Sequence, residues 1–120
     1  MTPFAAILKR AVDLTPRAIG GAFADAEGEM VDSYCKIDRT DWAILTAHYG
    51  VVLQHLIAAF GTWHYGGPEY YIAEHKHLEV VVWAVDAGYY ALLACEQPAP
   101  LALALQNLRA ASTQLHKEMA

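Results

Sequence analysis

The chain has 120 residues, enough for one domain with a modest core and little surplus. Its composition is 56% hydrophobic, above the roughly 45–50% apolar share of an ordinary soluble domain, and the excess asks for a partner surface, a ligand cavity or a membrane. The net charge is −5, and no basic cluster exceeds Lys9-Arg10 or Lys76 between two histidines, which argues against a phosphate-neutralising nucleic-acid footprint.

Thr2-Pro3 reads as an N-cap followed by proline in the first helical turn. Phe4, Ile7, Leu8, Ala11 and Val12 recur at helical spacing until Thr15-Pro16. Ile19 to Ala24 and Glu29 to Cys35 flank the turn Asp25-Ala26-Glu27-Gly28 and predict a β-hairpin. Asp38 to Asp41 supplies capping side chains for a long helix from about Thr40 to Phe60, stopped by Gly61. After the loop Gly66-Gly67-Pro68 come three strand candidates rich in Tyr, Val, Ile and Leu: Glu69 to Glu74, Leu78 to Val85 and Tyr89 to Cys95. The turns between them are short enough for antiparallel hairpins. Pro98-Ala99-Pro100 opens a last helix with a stripe of Leu101, Leu105, Leu108, Ala111 or Ser112, and Leu115.

The long helix is the most informative segment. From Trp42 to Pro68 there is no Asp, Glu, Lys or Arg. At about 100° per residue, Trp42, Leu45, Tyr49, Leu53, Leu56 and Phe60 share one face, suited to a sheet. The opposite face carries Ile44, His48, Val51, His55 and Ala58. A helix apolar nearly all round wants burial on two sides, so a second molecule is expected on the outer one. The uncharged run is also long enough to cross a bilayer. His48, Gly50, Gln54 and His55 within it, and the amphipathic elements around it, favour a soluble fold without a membrane span.

Catalytic and metal constellations are weak. His75-Lys76-His77 straddles a turn and lacks a third ligand. His48 and His55 are seven residues apart, where helical metal ligands usually sit three or four apart; both read as polar interface residues. Cys35 and Cys95 are too few for a disulfide scaffold and lie in predicted strands, where buried free thiols without thiolate activation are expected. Ser33 and Ser112 lack a nucleophile elbow, and the glycine pairs form neither a P-loop nor a dinucleotide fingerprint. Trp63, Tyr65, Tyr70 and Tyr71 are types favoured at interfaces. No catalytic residue, metal or cofactor is assigned. The basic pair follows the apolar residues of the N-terminus, the reverse of a secretory signal, and a reducing, cytoplasmic setting is expected.

The element order and three segments resemble the roadblock (dynein light chain roadblock) family. They are the Ile19–Val31 stretch with its strand, acidic turn, glycine and strand; the long apolar helix after Asp41; and Leu78–Val85 with Gly88–Ala94 as paired central strands before a leucine-rich helix. Trp63-His64-Tyr65 and the uncharged middle helix depart from many members. The resemblance covers nearly the whole chain and implies homodimers or heterodimers that pair an edge strand and the long helix across a two-fold axis. It also implies docking on dynein chains or on Ras-like GTPases.

The expectation is therefore one α/β (α+β sandwich) domain of roadblock/profilin-like type over residues 1–120. Its order is helix-strand-strand-helix-strand-strand-strand-helix around a five-stranded antiparallel sheet, with the first and last helices on one face and the middle helix on the other. It acts as a non-enzymatic homodimeric adaptor for a small GTPase or a motor, motility or polarity scaffold. The expected dimer interface is Tyr70, Tyr71, Ile72, Ile44, His48, Val51 and His55; the expected partner platform is Ala47, Val51, Gln54 and His55. His48 and His55, four imidazoles across the dimer seam, would gain charge as pH falls, repel one another and weaken association in acid. The alternative is a sensory domain binding a small molecule or haem through a histidine; a zinc enzyme ranks last.

Overall fold

The computed structural model describes residues 1–119. Helix α1 (Pro3–Asp13) begins where Thr2 Oγ1 accepts from the Ala5 N–H at 3.0 Å, satisfying one of the first-turn donors that a helix leaves unpaired. The Thr2 hydroxyl also bonds the Asp32 carboxylate. Leu8, Ala11 and Val12 face inward.

Strands β1 (Ala18–Ala24) and β2 (Met30–Cys35) form the expected hairpin, with a bulge between Phe23 and Ala24. Asp25 closes the turn by accepting from the Glu27 and Glu29 amides at 2.9 and 3.0 Å, and Gly28 takes the positive φ of 82° that this turn needs. Helix α2 (Arg39–Phe60) is capped by Asp38, which accepts from the Asp41 N–H at 3.0 Å. Strands β3 (Tyr70–Glu74), β4 (Leu78–Asp86) and β5 (Tyr89–Glu96) follow as a meander, and α3 (Leu101–Glu118) closes the fold.

The sheet order is β2-β1-β5-β4-β3, and every neighbouring pair is antiparallel. Alternation along the strands divides the core into two layers. Phe23, Val81, Ala91 and Leu93 pack under α1 and α3 with Leu8, Leu108 and Leu115. Ala22, Val80, Val82, Tyr90 and Leu92 pack under α2 with Trp42 and Leu53. The architecture is the expected five-stranded antiparallel α+β sandwich.

Two helix stripes differ from the sequence reading. On α2 the buried residues are Trp42, Thr46, Gly50 and Leu53, while Leu45, Tyr49 and Leu56 are half-buried and Phe60 is exposed. The expected sheet-facing row is thus rotated toward smaller residues. The reason is close approach: a Cβ on Gly50 would lie 2.2 Å from Tyr90 Oη, so the glycine lets the helix settle onto the Tyr90 ring. On α3 the buried row is Ala104, Leu108, Ala111, Ser112 and Leu115; Leu101 is exposed and Leu105 half-buried. Cys95 is buried as expected, but Cys35, on an edge strand, is half-buried.

Candidate functional site

Helix α2 is held to the sheet as much by hydroxyls as by apolar contact. Tyr90 Oη donates to the Thr46 carbonyl at 2.9 Å, and Tyr71 Oη donates to the Tyr49 carbonyl at 2.6 Å. Tyr49 Oη lies 2.6 Å from His75 Nε2, with the two rings edge-on at 6.0 Å. Burial raises the pKa of Tyr49, Tyr71 and Tyr90, with that of Tyr90 pushed up to about 12, so each phenol stays protonated. These ties define which side of α2 faces inward. His75 is an exposed turn residue, and its contact with Tyr49 ties the β3–β4 turn to the helix. Tyrosines on the sheet opposite a mid-helix glycine were the signal for this, but only once the sheet register is known.

With that narrow stripe buried, the rest of α2 is open. Ile44, His48, Val51, Val52, His55, Ala58 and Ala59 are exposed, Val51 by 54%. Ile44, Leu45, His48 and Tyr49, with Asp41 at the helix start, line an open hollow of about 390 Å³. No charged side chain interrupts the surface between Asp41 and Glu69. Beyond the helix, Trp63 packs edge-on against Phe60 at 4.8 Å and Tyr65 is 92% exposed. The exposed face of α2 beyond Asp41 is thus uncharged and, apart from His48 and His55, apolar. By length and composition α2 also suffices to cross a bilayer; here it forms one layer of the sandwich.

Ala47 and Gln54 occupy the flank of this face. Both are half-buried: Ala47 abuts Gly28 of the β1–β2 turn, and Gln54 Nε2 donates to the Gly88 carbonyl of the β4–β5 turn at 3.5 Å. The platform residues are therefore gathered on one helix surface, with Ile44, His48, Val51 and His55 at its crest and Ala47 and Gln54 anchored to hairpin tips.

Strand β3 is the sheet edge beside this surface. Tyr71 faces α2; Tyr70 and Ile72 point to the other side, where Tyr70 stacks on Trp83 with centroids 4.8 Å apart and planes 4° from parallel. The aromatic group picked out in the sequence is thus divided: Tyr71 belongs to the core under α2, while Trp63 and Tyr65 are outside it. The Ala84 amide donates to the Glu69 carbonyl and the His75 amide to that of Leu78. In the antiparallel register the odd residues of β3 therefore exchange backbone bonds with β4, and Tyr70, Ile72 and Glu74 turn theirs to the open edge. Among the described residues no three of His, Cys, Asp and Glu gather into a metal-holding group.

No family model and no curated protein matches the sequence. Solved structures do match the fold. Myxococcus xanthus MglB superposes with a TM-score of 0.86 at 14% identity, over 99% of this chain and 96% of that one. A roadblock/LC7 domain from Streptomyces avermitilis gives 0.83 at 10% identity over 95% of each chain. A structure of MglB in a tetrameric arrangement gives 0.82 at 12% identity, over 93% of this chain and 84% of that one. Likeness of this extent, over nearly the full length of both chains, means that this chain has the roadblock/LC7 fold.

Proposed function

We propose that the chain is a homodimeric adaptor that pairs through the β3 edge and the adjoining side of α2 around Tyr49, and presents the outer α2 surface to a small Ras-like GTPase or a motility or polarity scaffold. The observation that carries this reading is the exposed, uncharged crest of α2 lying beside an unpaired strand edge. Each is a surface that water solvates poorly; in this reading two-fold pairing covers the strand edge and the partner covers the crest. The fold shared with roadblock/LC7 and MglB structures supports it, as does the tetrameric arrangement of one of them. In this reading the work is done by binding, not by chemistry, and the two free thiols suit a reducing cytoplasmic setting.

The test is capture from extracts of the native cell with the full chain and with Val51→Asp, comparing GTP- and GDP-supplemented extracts. Retention of a GTPase by the wild type and its loss in Val51→Asp supports the proposal. Equal retention by both chains overturns the α2 platform. Absence of any GTPase or motility or polarity component from the wild-type eluate overturns the partner class.

A further inference from the structure

Four buried side-chain polar atoms have no hydrogen-bond partner among the described residues: Trp42 Nε1, Thr46 Oγ1, Glu79 Oε1 and Ser112 Oγ. Trp42 and Thr46 lie in the seam between α2 and the sheet. Ser112 is different, because it lines an open cleft of about 220 Å³ where α3 crosses β4. The residue is only 4% exposed. A buried hydroxyl without a partner is costly to the fold, and an acceptor in the cleft would remove that cost.

The surroundings define which acceptor. Arg109, Ser112, Thr113 and His116 follow the i, i+3, i+4, i+7 spacing of one helix face. The Arg109 guanidinium sits 5.9 Å from the Trp83 ring centre and has no carboxylate partner among the described residues. The Thr113 hydroxyl is spent on the Arg109 carbonyl at 3.2 Å. His116 Nε2 is 3.2 Å from Asp86 Oδ2, so each occupies the other. The groups left without a hydrogen-bond or ion-pair partner are therefore donors: the Ser112 hydroxyl in the cleft lining and, beside the lining and over the Trp83 ring, the Arg109 guanidinium. The apolar wall is Trp83, held flat by its stack on Tyr70, with Ala84 and Val85 beyond it.

Asp86, His116 and Ser112 are the residue types of a hydrolytic triad. No hydrogen bond joins Ser112 Oγ to His116, so no base takes the hydroxyl proton, and the arrangement is one for binding. We propose that the α3–β4 cleft binds a small organic molecule through a carboxylate or phosphate group. Its oxygens accept from Ser112 and Arg109, and its apolar body lies against Trp83 and Val85. The cleft is on the α1/α3 side of the sheet, away from α2, so the inference does not rest on the proposed partner surface.

The test is an NMR titration of the full isotope-labelled chain with benzoate and with phenyl phosphate, against sodium chloride at matched ionic strength. The expected result is a saturable shift of the Trp83 indole N–H and of the Val85, Arg109 and Ser112 amides with at least one probe, the tighter probe identifying the head group. Kd should rise tenfold or more in both Ser112→Ala and Arg109→Gln, while Ser112→Ala melts no lower than the wild type. Unsaturable shifts, the same shifts with chloride, or wild-type affinity in either variant would overturn the two-donor site.

Discussion

At the scale of single residues, the contact between Gly50 and Tyr90 does most to set the position of α2. The helix lies so close to the sheet that any side chain at 50 meets the Tyr90 hydroxyl, which itself bonds the Thr46 carbonyl. Gly50→Ala adds helix propensity, worth about 1 kcal/mol in an open helix, but overpacking costs about 1–3 kcal/mol. The clash is with a ring clamped by its own hydrogen bond, so the expected net effect is destabilisation. Tyr90→Phe alone should cost about 1 kcal/mol for the lost bond. In the double variant the alanine should cost less than it does alone, because the closest atom is gone; a double-mutant cycle in urea checks this. Additive losses would mean that the helix has shifted away from the ring.

Glu79 is the second residue whose setting has a measurable consequence. It is 2% exposed, its Oε1 is unpartnered, and it lies in the ladder between Glu74 and Cys95. Burial, and then the charge of Glu74, raise its pKa above the ordinary 4.5. A raised carboxyl pKa in the fold means that the native state holds the proton more tightly than the unfolded chain. The contribution of Glu79 is therefore fully present below the ordinary value and is lost as pH rises through the raised one. Glu79→Gln should raise the urea midpoint at pH 7 and change it little at pH 4. A shift of equal size at both pH values would assign the effect to packing. The same carboxylate, after burial, helps push the Cys95 thiol up to about 11, which leaves that sulfur protonated and unreactive at neutral pH.

At the scale of elements, local signals are legible in the sequence and non-local ones are not. The Thr2 and Asp38 caps, the Asp25–Gly28 turn and the short β3–β4–β5 connections are written in contiguous residues, and they appear where the sequence puts them to within a residue or two. The inward face of α2 was harder to assign. With no charge from Trp42 onward, hydrophobic periodicity scarcely distinguishes one side of the helix from another. The choice is made by Tyr71 and Tyr90, which lie far away in sequence. The outer face of the helix is nevertheless legible, because the buried row is narrow and the exposed arc is broad enough to keep Ile44, His48, Val51 and His55 within it when the inner row turns. The α3–β4 cleft had no sequence signature: Ser112 looked like part of a core stripe, and its orphaned hydroxyl is a property of packing.

That outer face supports a prediction about α2 as an element. Val51 is outside the buried row of α2, and its 54% exposure leaves room for a charge in the isolated chain. Val51→Asp should keep the far-UV circular dichroism spectrum and leave melting of the monomer within about 0.5 kcal/mol of the wild type, as for other surface changes. Against an apolar partner the same carboxylate must be desolvated without a counter-charge. Partner capture should therefore fall by at least tenfold, measured by quantitative pull-down. Val51→Leu, which adds apolar surface, should preserve it.

At the scale of the whole molecule, the open side of β3 makes the proposed dimer testable without disturbing the core. Two copies that join antiparallel at this edge would extend the sheet from five strands to ten, with the α2 helices side by side on one face. The outward backbone groups belong to Tyr70, Ile72 and Glu74, and Ile72 is at their centre. Proline tolerates an edge-strand position whose N–H faces solvent. Ile72→Pro therefore removes a donor on the open side while leaving the odd-numbered bonds to β4 in place. Light scattering at micromolar concentration should give twice the chain mass of 13.2 kDa for the wild type and the single mass for Ile72→Pro. The melting temperature of the wild type should rise with protein concentration, as mass action requires of an associating fold, while that of Ile72→Pro stays constant. Ile72→Lys is a second probe: it keeps the N–H, places its charge on the α1/α3 side of the edge, and should weaken pairing less than Ile72→Pro if backbone bonds hold the seam. A wild type that scatters as a monomer sinks the dimer outright, and a dimer that survives Ile72→Pro moves the seam from β3 to the exposed crest of α2.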